Sequence, residues 1–124
     1  MSKREHLILC VDDEVVGLHV RRILLERAGY KVLTAPDGPS GLEIFNREPV
    51  EAVVLDYSMP GMTGDAIASV MRQSKPGIPI LLLTAYVGLS KEITSLVDIA
   101  MTKGEGAPVL LQNLNSLLRE NQAS

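Results

Sequence analysis

Three apolar runs constrain this chain more than any other feature: "LILCV" from Leu7 to Val11, "AVVL" from Ala52 to Leu55 and "IPILLL" from Ile78 to Leu83. Each is nearly continuous rather than alternating. A strand keeps both sets of side chains apolar when both of its faces are buried, so the runs predict a parallel sheet covered on both sides. "YKVLTA" from Tyr30 and "VDIAMT" from Val97 are shorter and more mixed, the pattern of edge strands.

Helical spacing fills the gaps between these strands. Val16, Val20, Ile23, Leu24 and Ala28 fall on one predicted face, with Arg21 and Arg22 turned away, and Gly29 ends that helix. Further helices are expected from Asp37 to Asn46, Asp65 to Ser74 and Pro108 to Arg119. In the last of these, Leu110, Leu111, Leu114, Leu117 and Leu118 form a stripe suited to packing on the sheet. "VGLSKEITSLV" from Val87 supports only a short helix of about two turns. Strands alternating with helices over short connections give an α/β doubly wound five-stranded sheet with right-handed crossovers.

A chain of 124 residues is the size of one domain, and the strand-helix units use all of it, so a single domain over residues 1–124 with no output domain is expected. The net charge of -3 argues against direct nucleic-acid binding, which needs clustered cations. Lys3-Arg4 and Arg21-Arg22 are too short for a polybasic patch and read as solvated surface. Cys10 is the only cysteine and sits inside an apolar run, a small buried thiol suited to a reducing compartment. No run is long enough for a signal-peptide core or a membrane span, which makes the cytoplasm the expected location.

In a doubly wound sheet, ligands bind outside the carboxyl ends of the strands. Those ends here carry Asp12 and Asp13, Asp56, Thr84, and Thr102 with Lys103. Three converging carboxylates repel one another and raise each other's pKa unless a cation lies between them. Mg²⁺ suits oxygen ligands of this kind, with Asp13 and Asp56 as direct ligands and Asp12 acting through water. Lys103 can pair with Asp56 or with a phosphate placed on it, and the Thr84 hydroxyl can donate one hydrogen bond. Together these groups describe phosphoryl transfer to an aspartate. His6 and His19 are expected to be structural or solvated.

"LCVDDE" (Leu9 to Glu14), "VVLDYSMPGMTG" (Val53 to Gly64), "LLTAY" (Leu82 to Tyr86) and "DIAMTK" (Asp98 to Lys103) resemble the motifs of response-regulator receiver domains in order and spacing, over essentially the whole chain. The resemblance implies strand order 2-1-3-4-5 and a phospho-acceptor switch rather than an enzyme. It implies that Asp56 takes a phosphoryl group from a sensor histidine kinase, a phosphotransfer protein or a small acyl phosphate. Asp12 and Asp13 would hold Mg²⁺ together with Asp56 and the backbone carbonyl of Ser58. Thr84 would swing toward the phosphoryl group, Lys103 would pair with it, and an unknown downstream protein would read the result.

The chain departs from the family's pattern in three places. Ala100 stands where many relatives carry Tyr or Phe, and Tyr86, two residues after Thr84, is expected to be a partly exposed ring that tunes access to the site. Gly104 replaces the usual Pro, so a mobile loop after Lys103 is expected. The distance from Thr84 to Lys103 is short by about one helical turn, which predicts a short or irregular fourth helix. A second reading is a receiver-fold interaction module with weak or no phosphorylation-driven switching. An aspartyl phosphatase of the haloacid dehalogenase type would need Asp-x-Asp after the first strand, which neither "DDE" nor "DYS" supplies.

Overall fold

The computed structural model describes residues 5–123, so Lys3 and Arg4 lie outside the described residues. The chain runs β1 (Leu7–Val11), α1 (Val15–Arg27), β2 (Lys31–Ala35), α2 (Gly38–Arg47), β3 (Ala52–Asp56), α3 (Gly64–Ser74), β4 (Ile80–Thr84), α4 (Lys91–Thr94) and β5 (Ile99–Thr102). A 3-10 turn over Lys103–Glu105 leads into α5 (Ala107–Ala123). The strands form one parallel sheet in the order β2-β1-β3-β4-β5, with the two mixed runs at its edges.

The continuous apolar runs are explained by the alternation of side chains across the sheet. Ile8, Cys10, Ala52, Val54, Leu81 and Leu83 face one side, where Leu18 and Leu25 of α1 and Leu110, Leu114, Leu117 and Leu118 of α5 cover them. Leu9, Val11, Val53, Leu55, Ile80 and Leu82 face the other, under Phe45 of α2 and Ile67, Ala68 and Met71 of α3. Burial pushes the Cys10 thiol up to about 12, so it behaves as a small apolar side chain. No helix among the described residues is long and apolar enough to cross a membrane.

Local signals set the element ends. Asp37 caps α2 by accepting the Ser40 N–H at 2.7 Å, and Gly29 takes φ 101° after α1, as a helix-terminating glycine does. β4 starts at Ile80 rather than Ile78, because Pro79 has no N–H to give the ladder; its carbonyl still accepts from Val53 at 3.0 Å. α4 is one turn rather than two. Arg72 of α3 fastens the segment that follows it, donating to the carbonyls of Leu96, Pro76 and Ile78 and to the Asp98 carboxylate, which also accepts the Ile80 N–H.

The buried face of α1 differs from the one predicted. Leu18 and Leu25 point into the core, whereas Val16 is 74% exposed and Val20 and Ile23 also face outward. Apolar residues surround this helix, so spacing alone fits more than one stripe. The rotation turns Arg21 inward rather than into solvent.

Candidate functional site

Sheet register assembles the carboxyl edge. Val11 lies opposite Leu55, so the next residues, Asp12 and Asp56, share a rung; Asp56 lies opposite Leu83, and Thr84 opposite Thr102. The carboxylates of Asp12, Asp13 and Asp56 each offer an oxygen within 4.8 Å of the others. Asp12 and Asp56 are buried while Asp13 is exposed, leaving the cluster open on one side. Lys103 Nζ lies 2.9 Å from Asp56 Oδ1 and 3.8 Å from Asp12 Oδ2.

The approach to Asp56 is shaped by the turn that follows. Met59 is buried, Pro60 and Gly61 are exposed, and Gly61 takes φ 82°, which returns the chain to α3. At the start of α3, Gly64 N–H donates to the Tyr57 carbonyl at 2.8 Å. A Cβ at Gly64 would lie 2.6 Å from the Asp56 carbonyl oxygen, so only glycine lets α3 sit this close to the end of β3.

Electrostatics leave Asp56 unsettled. Burial raises its carboxyl above the ordinary carboxylate range; the Lys103 ammonium pulls it back, and the charges of Asp12 and Asp13 push it up again, so that the net direction is upward. Burial also works against the Lys103 ammonium, but the contact with Asp56 and the charges of Asp12 and Asp56 outweigh it and hold Lys103 above its usual value. The buried Asp56 Oδ1 faces the Lys103 ammonium at 2.9 Å and has no further partner among the described residues. A buried carboxylate oxygen beside two further carboxylates is the all-oxygen donor set that a hard divalent cation takes, so these residues fit Mg²⁺.

The other expected site residues are placed less centrally. Thr84 is buried at the end of β4, but its Oγ1 accepts the Tyr86 N–H at 3.0 Å and makes no hydrogen bond to Asp56. Ser58 is exposed in the loop after Asp56. Tyr86 is also exposed, as is Ala100 on β5. The chain after Lys103 forms a 3-10 turn over Lys103–Glu105 that includes Gly104. Glu105 accepts from the Thr102 N–H at 2.8 Å and from its hydroxyl, so a capping box closes a 3-10 turn that begins at Lys103. The "T-x-x-E" spacing of Thr102 and Glu105 was the available signal.

Arg21 is the residue that sequence reasoning missed. Its side chain is 12% exposed, and Nη1 donates to Asp12 Oδ2 at 3.1 Å. The spacing of Leu18, Arg21 and Leu25 puts all three on one helical face, but a charged residue in such a stripe reads as an interruption. His6 pairs with Glu51 at 2.9 Å away from this edge, and His19 is exposed.

Known proteins share the family pattern and the fold of this chain. A family model described as response regulator receiver domain matches residues 8–103. The chain is 34% identical over 115 residues to the probable transcriptional regulatory protein TcrX of Mycobacterium tuberculosis, covering 90% of this chain and 49% of that protein. It resembles a CheY-like response regulator receiver domain protein from Methanospirillum hungatei, with TM-score 0.89 at 25% identity over 97% of this chain and 98% of that one. It also resembles the response regulator TrrA of Thermotoga maritima, solved in complex with Mg²⁺ and BeF, with TM-score 0.86 at 31% identity over 90% and 98% of the two chains. The chain spans about half the length, or less, of the curated relatives it matches.

Proposed function

This chain belongs to the response regulator receiver domain family, and from that premise we propose that it is a phospho-acceptor of a two-component system in which Asp56 is the nucleophile. The observation that carries the reading is the convergence of Asp12, Asp13 and Asp56 within 4.8 Å, with Lys103 2.9 Å from Asp56. An Asp56 carboxylate oxygen forms a bond to phosphorus as the bond to the donor's leaving group breaks, giving an aspartyl phosphate. Lys103 neutralises charge on the transferred group. Thr84, once its hydroxyl turns from the Tyr86 amide, donates to a phosphoryl oxygen.

Asp12, Asp13, Asp56 and the Ser58 carbonyl would hold Mg²⁺, a role supported by the donor set and by the Mg²⁺ complex of TrrA. Bound there, Mg²⁺ supplies charge stabilisation for phosphoryl transfer. The same groups would assist dephosphorylation, the domain acting as a switch rather than as an enzyme with a turnover of its own.

The donor would be a sensor histidine kinase or a phosphotransfer protein. The exposed apolar residues Val15, Val16 and Val20, which begin just after Asp13 on the rim a donor must cross, support a protein docking there. The names of the relatives support a transcriptional, DNA-binding effector downstream, and the single buried Cys10 suits a cytoplasmic setting.

Incubation with acetyl phosphate and Mg²⁺ followed by intact-mass measurement tests the proposal. A phosphate adduct on the wild type that is absent in Asp56→Asn is the expected result. A wild type that gains no adduct overturns the phospho-acceptor reading and favours the interaction module.

A further inference from the structure

The acidic pocket contains a cation that phosphoryl transfer leaves without a role. Asp12 is fully buried, and both of its carboxylate oxygens are engaged: Oδ1 accepts the Glu14 N–H at 2.9 Å, and Oδ2 accepts Arg21 Nη1 at 3.1 Å. Lys103 adds its charge 3.8 Å from the same Oδ2. Asp13, by contrast, is exposed, and Asp56 has Lys103 alone, with Nζ 2.9 Å from its Oδ1. Of the three carboxylates, Asp12 is therefore the one that two cations face. Lys103 alone would leave the cluster of three carboxylates at a net charge of -2; with Arg21 it stands at -1.

The guanidinium also has somewhere to go. A cavity of about 280 Å³ opens between α1 and the start of α5, with Arg21 and Lys103 on its wall among Gly17, Leu24, Met101 and Leu110. Gly17 lies one turn before Arg21 on the same helical face and carries no side chain, and the Glu14 carboxylate lies 3.4 Å from where its Cβ would sit, so the arginine stem can turn into that space beside another carboxylate.

We infer that Arg21 is an internal counter-ion of the acidic pocket, occupying Asp12 in the metal-free protein and displaced toward the α1–α5 cavity when a divalent cation binds. The inference rests on the Mg²⁺ reading of the site given above. Arg21 is a positioning residue in this scheme. It shields the buried Asp12 charge while no metal is present, and it sets the metal affinity through the cost of breaking one charge-assisted hydrogen bond. That cost is on the order of a tenfold change in Kd, about 1.4 kcal/mol.

Calorimetric titration of metal-free protein with Mg²⁺ alone, with no phosphoryl donor present, tests it in the wild type, Arg21→Gln and Arg21→Lys. Arg21→Gln is expected to bind Mg²⁺ about tenfold more tightly than the wild type. Arg21→Lys keeps the charge and stays within about threefold of the wild type. Thermal melts give a second readout. Arg21→Gln leaves the buried Asp12 carboxylate with only the more distant Lys103 ammonium, so it melts below the wild type in the metal-free state and gains more from saturating Mg²⁺.

Equal or weaker Mg²⁺ binding by Arg21→Gln overturns the inference, as does Arg21→Lys binding as tightly as Arg21→Gln, or no Mg²⁺ binding by any of the three. If Arg21→Gln folds only with Mg²⁺ present, the counter-ion role is supported; if it folds in neither condition, the Arg21→Lys titration decides by the limit just given. The phospho-acceptor reading is judged separately by the Asp56 adduct. An adduct with unchanged Mg²⁺ affinity in Arg21→Gln removes only the counter-ion role, while tightened Mg²⁺ binding with no adduct removes only the phospho-acceptor.

Discussion

Replacing Gly64 by alanine puts a methyl carbon 2.6 Å from the Asp56 carbonyl oxygen, 2.8 Å from a Leu82 methyl and 2.9 Å from the Tyr57 Cα. Ordinary contact starts at 3.4 Å, so the overlap with the Asp56 oxygen is about 0.8 Å. Two of the three obstructing atoms are backbone, which no rotamer change can remove. The first turn of α3 must therefore back away from β3, stretching the Gly64–Tyr57 hydrogen bond. Overpacking of this kind costs about 1–3 kcal/mol, and in a domain of this size each kcal/mol is worth about 3–5 °C of melting temperature.

Calorimetric melting should show that loss for Gly64→Ala, whereas Gly77→Ala, whose Cβ meets nothing within 4 Å, should stay within about 0.5 kcal/mol of the wild type. The atom that α3 retreats from is the Asp56 carbonyl oxygen, so the seating of Asp56 is disturbed as well and labelling by acetyl phosphate should slow. Gly64→Ala melting at or above the wild type would refute the close-approach argument. A lower melting point with undiminished labelling would instead show that the Asp56 carboxylate does not depend on how α3 is seated.

Asp56→Asn removes a carboxylate that burial holds above its ordinary pKa of 3.8. A raised acid contributes stability in full below its unfolded pKa and loses it as pH rises through the folded value. The Asn variant should therefore gain on the wild type from about pH 4 upward, and urea unfolding across pH 4 to 8 checks this; a gap that narrows with pH contradicts it. Arg72→Ala leaves the carbonyls of Leu96, Pro76 and Ile78 without their donor and Asp98 without its cation. A loss of about 1–3 kcal/mol is expected, with amide exchange accelerated over residues 91–98 more than in α5. Unchanged exchange there would mean that the apolar contacts of Leu89, Ile93 and Leu96 hold the segment alone.

Much of this molecule was legible in the sequence because burial on both faces of a strand leaves an unmistakable mark. The runs at Leu7, Ala52 and Ile78 marked the three central strands, and the leucine stripe after Pro108 lies on the sheet as its spacing implied. Asp12, Asp13, Asp56 and Lys103 could be brought together on paper, since strands in a parallel sheet end on one edge and the residue after each apolar run must fall there. The shortness of α4 followed from the spacing between Thr84 and Lys103.

What sequence could not decide was rotation and fine placement. α1 carries apolar residues around its circumference, so its own pattern leaves its rotation about the axis open; contact with Cys10, Val54 and α5 selects Leu18 and Leu25 and thereby turns Arg21 onto Asp12. The turn after Lys103 depended on a bond between Thr102 and Glu105 that competes with the freedom of Gly104. Periodicity records how often a side chain returns to one face of its own element. Which face meets the rest of the molecule, and which charge then finds which, is decided when all the elements pack at once.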